Sequence, residues 1–253
     1  MIRVEDQGEI SVLHMERGRA NALDLQFVNA LDGALTQLEA GPARAVVITG
    51  QERNFCAGVD LASIIDGGDG ATEEFLVALV RLFRHAATFE KPAVAAVNGH
   101  AIAGGCILML ACDYRLIAEG KARIGLTELL VGVPFPAWAM EIARFGIPRN
   151  HVQDLIYTGR VVLPDEALHL GLADEVSPPD KLLDRACDVA RQFARVAPET
   201  FAFTKRQLRR ELVETADRQA AIDDRHAARI WASPEAHARI REFIANVIGQ
   251  KSK

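Results

Sequence analysis

Surplus positive charge is missing from this chain: 29 Lys and Arg face 34 Asp and Glu, a formal net charge of −5, with a sequence pI near 5.8. A nucleic-acid backbone or an anionic membrane surface would repel such a chain, so neither is an expected partner. Long apolar runs are missing too. None reaches the roughly 20 residues that span a bilayer, and no succession of basic, apolar and small residues opens the chain, so the expected location is the cytoplasm. Only four cysteines occur, Cys56, Cys106, Cys112 and Cys187. Their spacing fits neither a zinc ribbon nor a disulfide scaffold, and they read as reduced and structural. The histidines show no His-Glu-x-x-His spacing, and His100 reads as a packed or surface side chain. Neither glycine-bearing segment fits a dinucleotide fingerprint, and no P-loop lysine follows either one, so no metal and no separate cofactor is expected. Solenoid repeats and low-complexity tracts are absent.

What is present is a core-forming chain. Of 253 residues, 49% are hydrophobic, enough for one domain, or for one domain with a helical appendage. Alternation predicts paired strands over Ile2–Glu5 and Glu9–Met15, joined at Asp6-Gln7-Gly8. Asp24 can cap a helix with Leu25, Val28, Leu31, Leu35 and Leu38 on one stripe, which Gly41-Pro42 ends. Apolar runs at Ala45–Thr49 and Ala93–Val97 read as buried strands, with a helix from Thr72 to about Phe89 between them. Tyr114–Ala118 and Ala122–Gly125 read as two more strands. The glycine content of the segment between Ile64 and Ala71 predicts a loop beside the pocket. From Pro179 onward the reading is helical, over Asp180–Val196, Pro198–Glu214, Ala216–Trp231 and a last helix from Ser233. A recurring strand, strand, helix order is the only internal rhythm.

The chemistry concentrates in two segments, Phe55-Cys56-Ala57-Gly58-Val59-Asp60-Leu61 and His100-Ala101-Ile102-Ala103-Gly104-Gly105-Cys106-Ile107. Glycine permits close approach to the backbone and turns that aim successive N–H groups at one point. Such donors can hold an enolate oxygen, and a helix starting near Gly104 would add its positive end. Glu128 follows, isolated among Leu126, Leu129, Leu130 and Val131. Desolvation would raise its pKa and suit it to proton abstraction near neutrality. The plainer alternative is a carboxylate satisfying orphan N–H groups at a helix start.

These segments resemble the crotonase superfamily, also called the enoyl-CoA hydratase/isomerase family. Ala95-Ala96-Val97-Asn98-Gly99, Ala111-Cys112-Asp113-Tyr114-Arg115, Thr158-Gly159-Arg160 and Gly171-Leu172-Ala173-Asp174-Glu175-Val176 match in the family's order, so the resemblance covers nearly the whole chain. It implies an α/β fold, a crotonase-like spiral of strand-strand-helix turns with a C-terminal helical region. The expected division is a core over 1–195 and an assembly region over 196–253, with a homotrimer or dimer of trimers. It also implies an acyl-CoA thioester substrate whose coenzyme A is part of the substrate. Carried over by position, the N–H groups of Val59 and Gly104 match the oxyanion hole and Glu128 a catalytic glutamate. Arg19, Ala20, Ala22, Ala57, Asp60 and Leu61 match CoA-contacting positions, with Arg17 as a helper, and Lys205 with its neighbour Arg206 on a C-terminal helix is expected to meet the nucleotide phosphates. Asp60 and Lys205 keep structural alternatives, a helix cap and a solvated helix face. Ile64, Phe75, Ile107, Phe135 and Trp138 are the expected acyl pocket.

The family's hydratases carry a second glutamate three residues after the oxyanion glycine, where this chain has Ile107. Losing a positioned acid or base costs about a hundredfold to ten-thousandfold, so efficient hydration is not expected. Moving a double bond from the β,γ to the α,β position needs one carboxylate only. Gly132-Val133-Pro134-Phe135-Pro136-Ala137-Trp138 also resembles the single-glutamate enoyl-CoA delta isomerases more than the hydratases. The alternatives are hydration or another enolate reaction on this scaffold, a cysteine acyl-enzyme, and a catalytically silent acyl-CoA-binding subunit.

Overall fold

A computed structural model describes residues 1–68 and 70–251, the side chains of 247–251 excepted. The chain opens with β1 (Ile2–Asp6) and β2 (Ile10–Met15), followed by α1 (Leu25–Ala40), β3 (Ala45–Thr49), β4 (Asn54–Cys56), α2 (Leu61–Asp66) and α3 (Ala71–Thr88). Next come β5 (Ala93–Val97), β6 (His100–Ile102), α4 (Gly104–Leu110), β7 (Tyr114–Ala118), β8 (Ile124–Gly125) and α5 (Glu128–Val131). The remainder is α6 (Ala137–Gly146), α7 (Arg149–Thr158), α8 (Pro164–His169), β9 (Glu175–Ser177), α9 (Leu182–Ala194), α10 (Pro198–Leu208), α11 (Arg210–Trp231) and α12 (Pro234–Lys251).

Six strands form one sheet in the order β1-β2-β3-β5-β7-β9, and three form a smaller one, β4-β6-β8. Among the strands of the described residues β1 and β2 pair antiparallel and the other strand pairs are parallel. After the β1-β2 hairpin, the turns that begin at β3, β5 and β7 each lay one strand in the large sheet and the next in the small sheet before a helix returns the chain. This is the expected spiral. Both faces of the large sheet are covered, which explains why its strands read as continuous apolar runs. Val12, Val47, Val94 and Leu116 face α9, where Ala186, Val189 and Ala190 meet them. Leu13, Val46, Ala95 and Ile117 point to the opposite side, into the core with Phe27, Leu31, Leu82 and Ile142.

Several boundaries differ from expectation. Asp24 caps α1 as expected, accepting from Phe27 N–H at 2.7 Å. The loop expected between Ile64 and Ala71 is shorter, because α2 continues through Asp66; Asp69 lies outside the described residues. The break expected between Glu214 and Ala216 falls instead at Arg209, which separates α10 from α11. Its guanidinium reaches inward, Nη1 donating to the carbonyls of Ala87 and Ala111 at 2.8 Å each and Nη2 to Asp113 at 2.8 Å. A tertiary contact thus sets the break, which helical periodicity cannot reveal. The C-terminal helices also turn back onto the core, α11 packing against α6 and α12 against α2 and α5.

Candidate active site

The small sheet assembles the site. Its parallel register places Cys56 beside Ala101 and Ile102 beside Gly125, so three chain segments leave the same edge: Ala57–Asp60 after β4, Ala103–Gly104 after β6, and Leu126–Glu128 after β8. The Ala103 N–H extends the ladder to the Gly125 carbonyl at 2.8 Å.

The first segment is held by residues far earlier in the chain. Ala57 N–H donates to Ala20 O at 3.0 Å, Leu23 N–H to Gly58 O at 2.8 Å, and Asp60 N–H to Leu23 O at 3.0 Å. Successive N–H groups in an extended strand point to opposite sides. Since Asp60 N–H faces Leu23, that of Val59 faces away, and among the described residues it meets no acceptor. Gly104 opens α4, so its N–H is one of the helix's orphan donors. The two segments touch: a Cβ on Gly58, at φ +83°, would lie 2.8 Å from Ile102 O and 3.4 Å from Gly104 N. A Cβ on Gly105 would lie 2.1 Å from Cys56 O. Glycine at these positions lets α4 sit directly on β4. Ala103 just before has φ +51°, a sparsely populated conformation for a residue with a side chain.

Val59, Gly104 and Glu128 come together around a cavity of about 100 Å³ whose wall also includes Leu79, Phe83 and Phe135. Glu128 is the first residue of α5 and is buried. Burial pushes its pKa up to about 8, offset in part by backbone N–H groups of Glu128 and Thr127. Its Oε2 has no hydrogen-bond partner among the described residues. The carboxyl is therefore held in an apolar chamber without a counter-charge, which favours a protonated, exchangeable state near neutrality. Cys56 and Cys106 lack this poise. Burial pushes the Cys56 thiol up to about 12, and burial with the nearby Glu128 charge raises Cys106 further. Neither supplies a thiolate nucleophile near neutral pH.

The other expected site residues divide. Leu61 lines the cavity beside Ala57, whereas Ile64 lines a larger neighbouring one. Phe75, Ile107 and Trp138 border neither cavity; each is fully packed in the core, since α3, α4 and α6 bury these faces against one another. Ile107 is not among the residues that line the chamber around Glu128. Arg19 is exposed, and Ala20 and Ala22 are half-buried beside it. Arg17 pairs with the helix-capping Asp24 and so serves α1. Asp60 caps α2, its Oδ1 accepting from Ala62 N–H at 3.2 Å. Lys205 is not available to a phosphate: it is buried, and its Nζ donates to Asp113 at 2.7 Å and to Lys91 O at 3.1 Å. Arg206 pairs with Glu90 at the surface.

Two contributions escaped the sequence reading. Asn21, fully buried at φ +48°, accepts from Arg17 N–H at 2.7 Å and donates to Phe55 O at 3.0 Å, pinning the early loop to β4. Its position between two alanines gave no signal beyond the motif itself. Trp231 and Phe243 line the Glu128 cavity from α11 and α12, and Trp231 is fixed by a 2.9 Å bond to Pro134 O. The region expected to serve assembly therefore also closes the chamber. Among the described residues, no helix is long and apolar enough to cross a membrane.

The family model described as enoyl-CoA hydratase/isomerase matches residues 5–244. A putative enoyl-CoA hydratase of Thermus thermophilus is 38% identical over 213 residues, covering 82% of this chain and 83% of its own. The mitochondrial enoyl-CoA delta isomerase 1 of Rattus norvegicus is 29% identical, covering 88% and 78% respectively. The crystal structure of the human mitochondrial delta3-delta2-enoyl-CoA isomerase superposes with a TM-score of 0.94 over 99% of both chains at 24% identity, a likeness of fold.

Proposed function

Because the chain belongs to the enoyl-CoA hydratase/isomerase family, we propose that it binds an acyl-CoA thioester and isomerises a β,γ-enoyl-CoA to the α,β-enoyl-CoA, with Glu128 as the single acid and base. The observation that carries this reading is that, among the described residues lining the chamber, Glu128 is the one titratable side chain. In this reading the thioester oxygen accepts from the N–H groups of Val59 and Gly104. Glu128 takes the proton from the α-carbon, and the electron pair spreads into a dienolate held by the two donors. The same carboxyl then returns the proton to the γ-carbon, so the double bond moves one position and nothing is gained or lost. Each such donor contributes about 3 kcal/mol at the transition state. A base of pKa about 8 is about one-tenth ionised at pH 7, near the match that proton transfer requires.

The exposed guanidinium of Arg19 is the proposed contact for the CoA phosphates. The N–H groups of Ala57 and Asp60 are already bonded within the chain and the Asp60 carbonyl accepts from Ser63 Oγ at 2.7 Å, which leaves the Ala57 carbonyl for any pantetheine contact at these residues. Assembly belongs to the proposal too: α10 exposes Phe203 and Leu208, apolar surface suited to a second copy.

Hydration is the second reading, favoured by the hydratase name of the 38% identical relative. It requires a second group to handle water and proton, and among the described residues the chamber wall offers no second carboxylate. The test is to incubate the protein and its Glu128→Gln variant with a medium-chain β,γ-enoyl-CoA, following conjugation by absorbance and hydroxyacyl-CoA by mass. Conjugation without hydration, lost in the variant, supports the isomerase. Hydroxyacyl-CoA as the main product overturns it for the hydratase, and binding without either product overturns it for a silent subunit.

A further inference from the structure

The chamber at Glu128 is small, but it does not stand alone. A cavity of about 780 Å³ adjoins it, within the range of about 300–1,000 Å³ usual for ligand sites. Pro136 borders both. Three helices pass from one to the other: α2 offers Leu61 to the chamber and Ile64 to the larger cavity, α3 offers Leu79 and then Leu76, and α11 offers Trp231 and then Ala228. The larger cavity thus lies next to the chamber in which Val59 and Gly104 would hold a thioester.

The larger cavity is not uniformly apolar. Its inner wall is Ile64, Leu76, Val80 and Ala227, suited to methylene groups, but Arg225, Arg229 and His237 also line it. Arg225 and Arg229 stand one helical turn apart on α11, on one face. Arg229 meets only the His226 ring, at 3.2 Å, and neither arginine pairs with a carboxylate among the described residues. His237 Nε2 is shielded from solvent and has no hydrogen-bond partner among them. Such an atom costs free energy until a ligand atom satisfies it. Among the described residues the wall also carries two carboxylates, Asp224 and Glu73, and burial raises the pKa of Asp224, which weakens its negative charge. Asp224 accepts from the Ala137 N–H at the start of α6 at 2.8 Å, and Glu73 lies in the first turn of α3, where the helix's positive end offsets it.

Resting on the isomerase reading for the reacting end, we infer that the natural acyl group is long and carries a carboxylate at its far end, received by Arg225, Arg229 and His237. The methylene segment would lie along Ile64, Leu76 and Val80. Both arginines are exposed, so solvent screens them and the expected gain is modest, about tenfold in affinity over a methyl-ended chain of the same length.

The test uses saturated, unreactive acyl-CoA pairs of matched medium chain length, one methyl-terminated and one carboxylate-terminated, titrated calorimetrically into the full-length protein. The expected result is tighter binding of the carboxylate-ended member by about tenfold at one or more lengths. That ratio should fall to near one in an Arg225→Gln/Arg229→Gln variant. Equal or weaker binding of the carboxylate-ended member at every length overturns the inference, as does a ratio unchanged in the variant. If the variant does not fold, the wild-type comparison alone decides. Because saturated thioesters undergo no double-bond shift, a clear binding preference without isomerase activity would refute the proposed reaction and leave this inference standing. Isomerase activity without the preference would do the reverse.

Discussion

Replacing Glu128 with glutamine should make the stability of the protein respond to pH differently from the wild type. In the folded chain the carboxyl titrates at about 8, against 4.5 for an ordinary glutamate, because burial opposes its charge. Between those values the unfolded chain has lost the proton and the folded chain keeps it. Wild-type stability therefore falls as pH rises through this window, by up to about 1.4 kcal/mol per pH unit, and levels off above it. The whole window sets a ceiling of about 5 kcal/mol. Glutamine carries no such proton, but its amide would place a donor where Oε2 now has no partner, a cost of about 1–3 kcal/mol at every pH. The variant should thus be less stable than wild type near pH 5 by about 1–3 kcal/mol and more stable near pH 9 by roughly 2–4 kcal/mol. At the alkaline end this corresponds to a rise in Tm of roughly 5–15 °C. Thermal unfolding of both proteins at matched pH values measures it. Activity should vanish in the variant, while wild-type kcat/KM rises with pH to a plateau, with an apparent pKa about that of the buried carboxyl. A stability difference of the same sign and size at pH 5 and pH 9 would show that Glu128 is not desolvated, and the argument for it as a tuned base would fall with it.

Gly105→Ala should cost about 3 kcal/mol or more in denaturant unfolding and depress turnover, because the new Cβ would lie 2.1 Å from the Cys56 carbonyl and force α4 off β4. Asn21→Ala removes the bonds to Arg17 N–H and Phe55 O; a loss of roughly 3 kcal/mol is expected, with kcat falling more than KM rises as the Val59 segment loosens. Asp113 is shared by Lys205 and Arg209, so Lys205→Met should change stability by about 1 kcal/mol at most and leave CoA affinity, read by calorimetry, unaltered. Asp113→Ala, which strands two buried cations, should cost about 3–5 kcal/mol. Equal losses in these two variants would refute the shared-carboxylate account.

The sequence by itself determined the elements whose signal is local. Ala45–Thr49, Ala93–Val97 and Tyr114–Ala118 are apolar runs because both faces of their sheet are covered, and the structure has strands over the same residues. Asp24 and Asp60 cap helices because a short carboxylate can reach the free N–H groups one turn on. Glu128 could be singled out because an unpaired carboxyl among leucines and valines is costly in any fold. Tertiary structure alone decided the rest. Ile107 and Trp138 are as apolar as a pocket residue, and only the packing of α4 and α6 sends them into the core. Lys205 reads as an exposed cation until Asp113, 92 residues earlier, draws it inside. The helix break at Arg209, and the closing of the chamber by Trp231 and Phe243, likewise depend on contacts with distant segments. Periodicity and capping act within a few residues, so a sequence displays them directly. Which of several equally apolar or equally charged side chains borders a cavity depends on how elements far apart in the chain meet, and only the folded chain fixes that.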